Sequence, residues 1–211
     1  MMTKLALLPG IIAALAICTP SAALEQAPVQ DANNAEARLA IEAYGACVVK
    51  LNPKESARVL SMDYKKSTYR TALKMLVMDA ERRCARDSFG QGRMRGDDLS
   101  MAAAIAEALL ESDPKTVNAR LAGIGAAQRT PLGKMDAVAH CLARSLPDQV
   151  GQLFATAPAS EAETAAAAPL LQAVPSCARA TGAVDQYDLT VPAVRAILAT
   201  ASFRILAAQE S

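Results

Sequence analysis

The feature that most constrains this chain is that it is written twice. Cys47 and Cys141 lie 94 residues apart, Cys84 and Cys177 lie 93 apart, and the residues around them repeat in the same register. IEAYGACVVKLNPKESARVL faces MDAVAHCLARSLPDQVGQLF without a gap, which matches Ala43 with Ala137, Cys47 with Cys141 and Pro53 with Pro147. Ser67 to Arg86 then faces Ser160 to Arg179, and both blocks end in Cys-Ala-Arg. A third match sets Asp98-Leu99 against Asp188-Leu189, each opening an Ala-rich run. Alanine bias alone would not keep cysteines and prolines in register, so the chain is expected to be two tandem copies of one structural unit.

Each copy reads as roughly four helices, and the fold class is therefore all-α. The first helix runs from about Ala35, with Asn33 and Glu36 spaced as a capping box, and its counterpart starts at Thr130-Pro131 as an N-cap followed by proline. It ends before Pro53 or Pro147, because the residue before a proline is pushed out of the α region. A short second helix follows. The third starts at Ser67 or Ser160, and in copy one its core stripe is Tyr69, Leu73, Leu76, Val77, Ala80 and Cys84. In copy two, Pro169 and Pro175 are expected to kink or break that helix. The fourth follows Asp98 or Asp188 and directs Leu99, Ile105, Ala106 and Leu109 inward. Gly90, Gly92 and Gly96 mark a flexible loop before it. The expected layout is a signal peptide over 1–23, a flexible segment over 24–34, repeats over 35–112 and 130–208, and a connector over 113–129.

Composition agrees with helices. Residues are 52% hydrophobic and 20% charged, which excludes a disordered chain, while 3% aromatics and no Trp disfavour a large β-sandwich. Lys4, the apolar run Leu5 to Ile17 and the small residues Ser21-Ala22-Ala23 read as a secretory signal cleaved near Ala23. Cys18 follows the bulky Ile17, which argues against lipoprotein processing, and no later stretch is long and apolar enough for a membrane span. An exported, periplasmic chain is expected. Four remaining cysteines in an oxidising compartment imply two disulfides rather than a zinc site, since no Cys-x-x-Cys pair is present and His140 is the only histidine. A duplicated unit brings its own staple, so Cys47 should pair with Cys84 and Cys141 with Cys177.

Gly45 to Pro53, Cys84 and the run Leu99 to Leu109 resemble small exported Cys-containing helical repeat proteins of unknown function from alphaproteobacteria. The resemblance implies export and a helical repeat fold. Its motifs are structural, and it brings no catalytic residues.

No phosphate-binding loop, dinucleotide fingerprint, HExxH or nucleophile elbow is present. His140 falls opposite Met135, Val138 and Leu142 on a helical wheel and is expected to be a solvated surface residue, not a general base. Asp97 and Asp98 are expected to cap a helix. No catalytic, cofactor or metal residues are assigned. Charge is asymmetric: from Cys47 to Arg95 there are twelve Lys/Arg and five Asp/Glu, whereas Cys141 to Ser211 has four and six. Lys66, Arg70 and Lys74 recur every four residues, with Arg82 beyond, as a row of cations that could meet an anionic envelope partner. Nucleic acid is disfavoured by the export signal. The leading expectation is a non-enzymatic periplasmic interaction or structural protein. The alternative is a carrier of a small hydrophobic ligand, or an enzyme, with its site between the repeats.

Overall fold

The computed structural model describes residues 35–89, 97–124, 130–183 and 187–209, with side chains for all of these except 85–89. Residues 1–34, which include the expected signal peptide with Cys18 and the expected Asn33 cap, residues 90–96, expected as a loop, and 125–129 of the expected connector lie outside the described residues. Among those described, the chain is all helix. The first repeat holds α1 (Ala35–Leu51), α2 (Pro53–Leu60), α3 (Ser67–Phe89) and α4 (Asp98–Glu111), and the second holds α6 (Lys134–Ser145), α7 (Pro147–Phe154), α8 (Glu161–Ala180) and α9 (Val191–Ala207). The connector is not bare loop: it carries α5 (Val117–Ala122), which buries Val117 and Leu121 and packs on α7.

Local sequence explains the boundaries. Pro53 and Pro147 stand at the starts of α2 and α7, where a missing N–H costs nothing. Ser160 accepts from the Glu163 N–H (3.1 Å) to start α8, and the Glu163 carboxylate accepts from the Ala159 N–H (2.8 Å). Asp97, not Asp98, caps α4, its Oδ1 accepting from the Leu99 and Ser100 N–H groups at 2.9 Å. Thr190 caps α9 through Ala193. Asp97 and Thr190 are 93 residues apart, the same offset as Cys84 and Cys177, so the fourth helices align with no deletion once the caps rather than the Asp-Leu pairs are matched.

Three expectations change. Helix α6 begins at Lys134 with Gly133 at the N-cap, so Thr130-Pro131 precede the helix instead of starting it. Helix α8 runs unbroken through Pro169 and Pro175, because both prolines are exposed and the opposite face is pinned by buried Ala167, Leu170, Val174 and Cys177. Leu99 is 43% exposed, whereas Ile105 and Ala106 beside it in the stripe are fully buried, since Leu99 faces an open pocket instead of a packing partner.

Within each repeat the first helix packs on the third and fourth, and the disulfide ties first to third: Cys47 to Cys84 (Cα–Cα 5.7 Å) and Cys141 to Cys177 (5.6 Å). The two repeats meet through α4 and α9, so the fourth helices form the centre of one continuous core. Close packing there explains Gly45. A Cβ at that position would sit 2.6 Å from the Ala104 backbone, so α1 approaches α4 at a distance only glycine permits.

Candidate functional site

Helix α9 is buried on nearly every side, yet it carries Arg195 and Arg204, two turns and a half apart. A guanidinium removed from water must be paired and hydrogen bonded to be tolerated, and the partners each one finds organise the seam between the repeats.

Arg195 meets Glu107 of α4. It donates through Nε to Oε1 (2.9 Å) and through Nη2 to Oε2 (2.7 Å), while Nη1 donates to the carbonyl oxygens of Leu153 (3.2 Å) and Thr156 (3.1 Å) and to Glu163 Oε1 (3.3 Å). Glu163 in turn receives Arg38 of α1 through two donors, at 2.7 and 2.5 Å. The chain of charges thus runs from the first repeat into the second and back. Burial would raise the Glu163 carboxyl, but Arg38 and the Ala159 N–H hold it below the ordinary carboxylate range. Glu42 of α1 adds a further carboxyl beside Glu107; burial first, then the Glu107 charge, push it up to about 8, despite the opposing pull of Arg195 and Arg38. Burial also raises Glu107. Burial thus favours the protonated form of Glu42.

Arg204 builds a different site. Its Nη2 donates to Asp136 Oδ1 of α6 at 2.5 Å, and its guanidinium lies over the Tyr64 ring, 5.2 Å from the centroid. Asp136 is further satisfied by the Leu132 N–H at 2.8 Å. Arg204 Nε, also buried, makes no hydrogen bond among the described residues. These groups border a pocket of about 260 Å³ between the repeats. Tyr64, Tyr69, Leu99 and Ala102 line it from the first repeat, and Met135, Ile197, Thr200 and Arg204 from the second. Arg70 and Asp98, both exposed, stand at its border. Burial raises both phenols, that of Tyr69 to about 12, so each is a neutral O–H at physiological pH. An apolar wall with a few convergent donors is the general form of a small-molecule site.

The residues singled out from sequence fall in different places. Lys66, Arg70, Lys74 and Arg82 are all exposed on or just before α3, and Arg70 alone of the four also lines the pocket. His140 corrects the expectation of a solvated histidine: it is 7% exposed, with Nε2 3.6 Å from Asp136 Oδ2. The wheel considered one apolar face, but α6 is packed by α7, α8 and α9 together, which covers the other side as well. Asp97 and Asp98 act at the start of α4, as their position implied. Glu42, Glu107, Arg195 and Arg204 were not singled out. The signal was present in VPAVRAILATASFRILA, where two arginines interrupt a run otherwise without charge. Among the described residues no group of three or more His, Cys, Asp or Glu could hold a metal ion, and no helix is long and apolar enough to cross a membrane.

Comparison with protein-family models, with curated proteins and with solved structures finds no match to this chain.

Proposed function

We propose that this protein is an exported, non-enzymatic binding protein whose ligand occupies the pocket between its two repeats. The observation that carries the reading is the pocket itself: it is lined from both copies, and a largely apolar wall of Leu99, Ala102, Met135 and Ile197 stands beside the tyrosines Tyr64 and Tyr69 and the arginine Arg204. Two disulfides and the apolar leader read in the sequence support an oxidising, extracytoplasmic location, of which the periplasm is the simplest. Duplication supplies the rest of the logic, since two similar units facing each other create a cleft that neither has alone.

Native mass spectrometry after gentle purification, together with titration of the neutral fluorescent probe phenylnaphthylamine, tests this. The expected result is a bound small-molecule mass or saturable probe uptake, abolished by Leu99→Trp at the rim. Protein mass alone and no probe uptake would overturn it.

A second reading has its own observation. Lys66, just before α3, and Lys74 and Arg82 on it are exposed together with Met75 (61%) and Met78 (52%), basic residues with apolar spots that suit an anionic envelope protein. Changing Lys66, Lys74 and Arg82 to Gln spares the pocket, so loss of salt-sensitive capture by this variant alone would assign the two surfaces separate roles.

A further inference from the structure

We infer that the seam between the repeats holds two equivalent sites, one closed by the Arg195 side chain and the other left open as the pocket beside Ala102, and that the open one takes an uncharged apolar molecule of one ring system or one short chain. This rests on the reading of the pocket as a ligand site and adds the chemical class of the ligand.

The equivalence follows from the repeat. The offset of 93 that aligns Asp97 with Thr190 sets Ala102 against Arg195 and Thr200 against Glu107, and the same offset between Cys84 and Cys177 sets Arg70 against Glu163. The offset of 94 between Cys47 and Cys141 sets Asp136 against Glu42. Ala102, Thr200, Arg70 and Asp136 all line the pocket. Their counterparts also lie together: Arg195 is hydrogen bonded to Glu107 and Glu163, and Glu42 feels the charges of Glu107 and Arg195. One site draws on α3, α4, α6 and α9, and the other on the matching α8, α9, α1 and α4, so exchanging the repeats carries one site onto the other.

The two sites differ in how they are filled. At the closed site Arg195 crosses the seam to Glu107 of α4 (2.7 Å), Glu163 of α8 (3.3 Å) and the carbonyl oxygens of Leu153 and Thr156. At the open site the corresponding position carries only the Ala102 methyl, and a pocket of about 260 Å³ opens beside it. That volume lies just under the roughly 300 Å³ at which drug-sized sites begin, so one ring system or one short chain fits and a long-chain lipid does not.

The residues that replace the charge partners decide what the occupant can carry. Glu107 is replaced by Thr200, whose hydroxyl turns back to the carbonyl oxygens of Ala196 (3.1 Å) and Ile197 (3.2 Å) in its own helix. Glu163 is replaced by Arg70, which stands exposed at the border with Asp98, one charge of each sign. Asp136 and Arg204, the two buried charges of the wall, are paired with each other at 2.5 Å. A cation therefore lacks both carboxylates that hold Arg195, and an anion meets a guanidinium already engaged. Either ion would give up its water with no unpaired counter-charge inside to replace it. The rest of the wall is hydrocarbon and thioether from Leu99, Met135 and Ile197, and Leu99 is left 43% exposed for an occupant to cover. Each methylene buried there should strengthen binding about four-fold.

The test is displacement of phenylnaphthylamine from the oxidised full chain by octanol, octanoate and octylammonium. Octanol should displace the probe at a concentration about ten-fold or more below that of either ion, because only the ions lose charge hydration on entry. Either ion as effective as octanol, or octanol without effect on a probe that binds, would overturn the uncharged ligand and leave the pocket standing. Ala102→Met tests the equivalence, since it returns a long side chain to the position that Arg195 fills in the other site. It should abolish probe uptake with Tm unchanged or raised, and uptake equal to the parent's would overturn the inference. Should that variant melt early, Leu99→Trp decides instead: it closes the same space from an exposed position, and undiminished uptake would place the ligand elsewhere and overturn the inference as well. No uptake of phenylnaphthylamine by the parent, with no heat from octanol in calorimetric titration, would remove the pocket reading itself.

Discussion

Glu107 and Arg195 stand 88 residues apart in the chain, one in each repeat, and meet as a fully buried bidentate pair at the centre of the α4–α9 contact. Their carboxylate and guanidinium are 3% and 5% exposed, so each depends on the other for its solvation. Breaking such a pair from one side leaves an uncompensated buried charge.

Arg195→Met is accordingly expected to cost about 3–5 kcal/mol in urea denaturation, since it strands Glu107 and also withdraws a partner from Glu163. Replacing both members, Glu107→Leu with Arg195→Met, should recover much of that loss, because no buried charge then remains unpaired. A double variant no more stable than the arginine variant would show that the pair does not carry the seam.

Gly45→Ala tests the close approach of α1 to α4. A methyl group 2.6 Å from the Ala104 backbone has nowhere to go without separating the helices, and the expected cost is about 1–3 kcal/mol, read as a lowered Tm. Gly123→Ala, where the nearest atoms are at 3.5 Å and beyond, should be close to neutral and serves as the control.

Glu42 sets a pH dependence with a definite sign. Its folded carboxyl is raised to about 8 from 4.5, so between those values the folded state holds a proton that the unfolded state has released. Stability from this group is complete below about pH 4.5 and declines as pH rises toward 8. Tm should fall between pH 5 and 9, and Glu42→Gln, which cannot lose the proton, should flatten that decline and melt higher than the parent at the alkaline end. An unchanged slope in the variant would place the titration elsewhere.

Each disulfide closes a loop of 36 or 37 residues. Removing either by paired Cys→Ala substitution should cost about 2–5 kcal/mol, and reduction of both should lower Tm further than either pair alone. Non-reducing peptide mapping should return Cys47 with Cys84 and Cys141 with Cys177, and a Cys47–Cys141 peptide would contradict the fold.

Ala159 is the one non-glycine residue with a left-handed backbone among those described, at φ 60°. Its amide is held there by the Glu163 carboxylate, so Ala159→Gly should keep the hydrogen bond while relieving the Cβ clash, and gain up to about 1 kcal/mol in chemical denaturation.

Much of this architecture was legible because its determinants are local or repeated. Pro53 and Pro147 stop one helix and begin the next through their own covalent geometry, and Ser160 caps its helix with a side chain three residues from its donor. Cys47, Cys84, Cys141 and Cys177 declared their pairing through the repeat. Misreadings arose where a neighbour far in sequence decides. Pro169 and Pro175 ought to interrupt a helix on propensity alone, but a buried opposite face and a disulfide hold α8 together. His140 lies on a face that looks free until three other helices cover it.

The sequence by itself determined the helical class, the duplication and the staples, because hydrophobic period, proline position and cysteine register all act over a few residues or recur between copies. Only the tertiary structure decided how the copies meet, and with that the site. Arg195 and Arg204 differ little in local sequence, yet one is saturated by Glu107, Glu163 and backbone carbonyls while the other pairs with Asp136 and lines a pocket. That difference comes from the way α9 lies against α4 and α6, bringing together side chains whose partners are 32 to 88 residues away. No periodicity along the chain encodes such distances, since they are fixed by packing of the whole core.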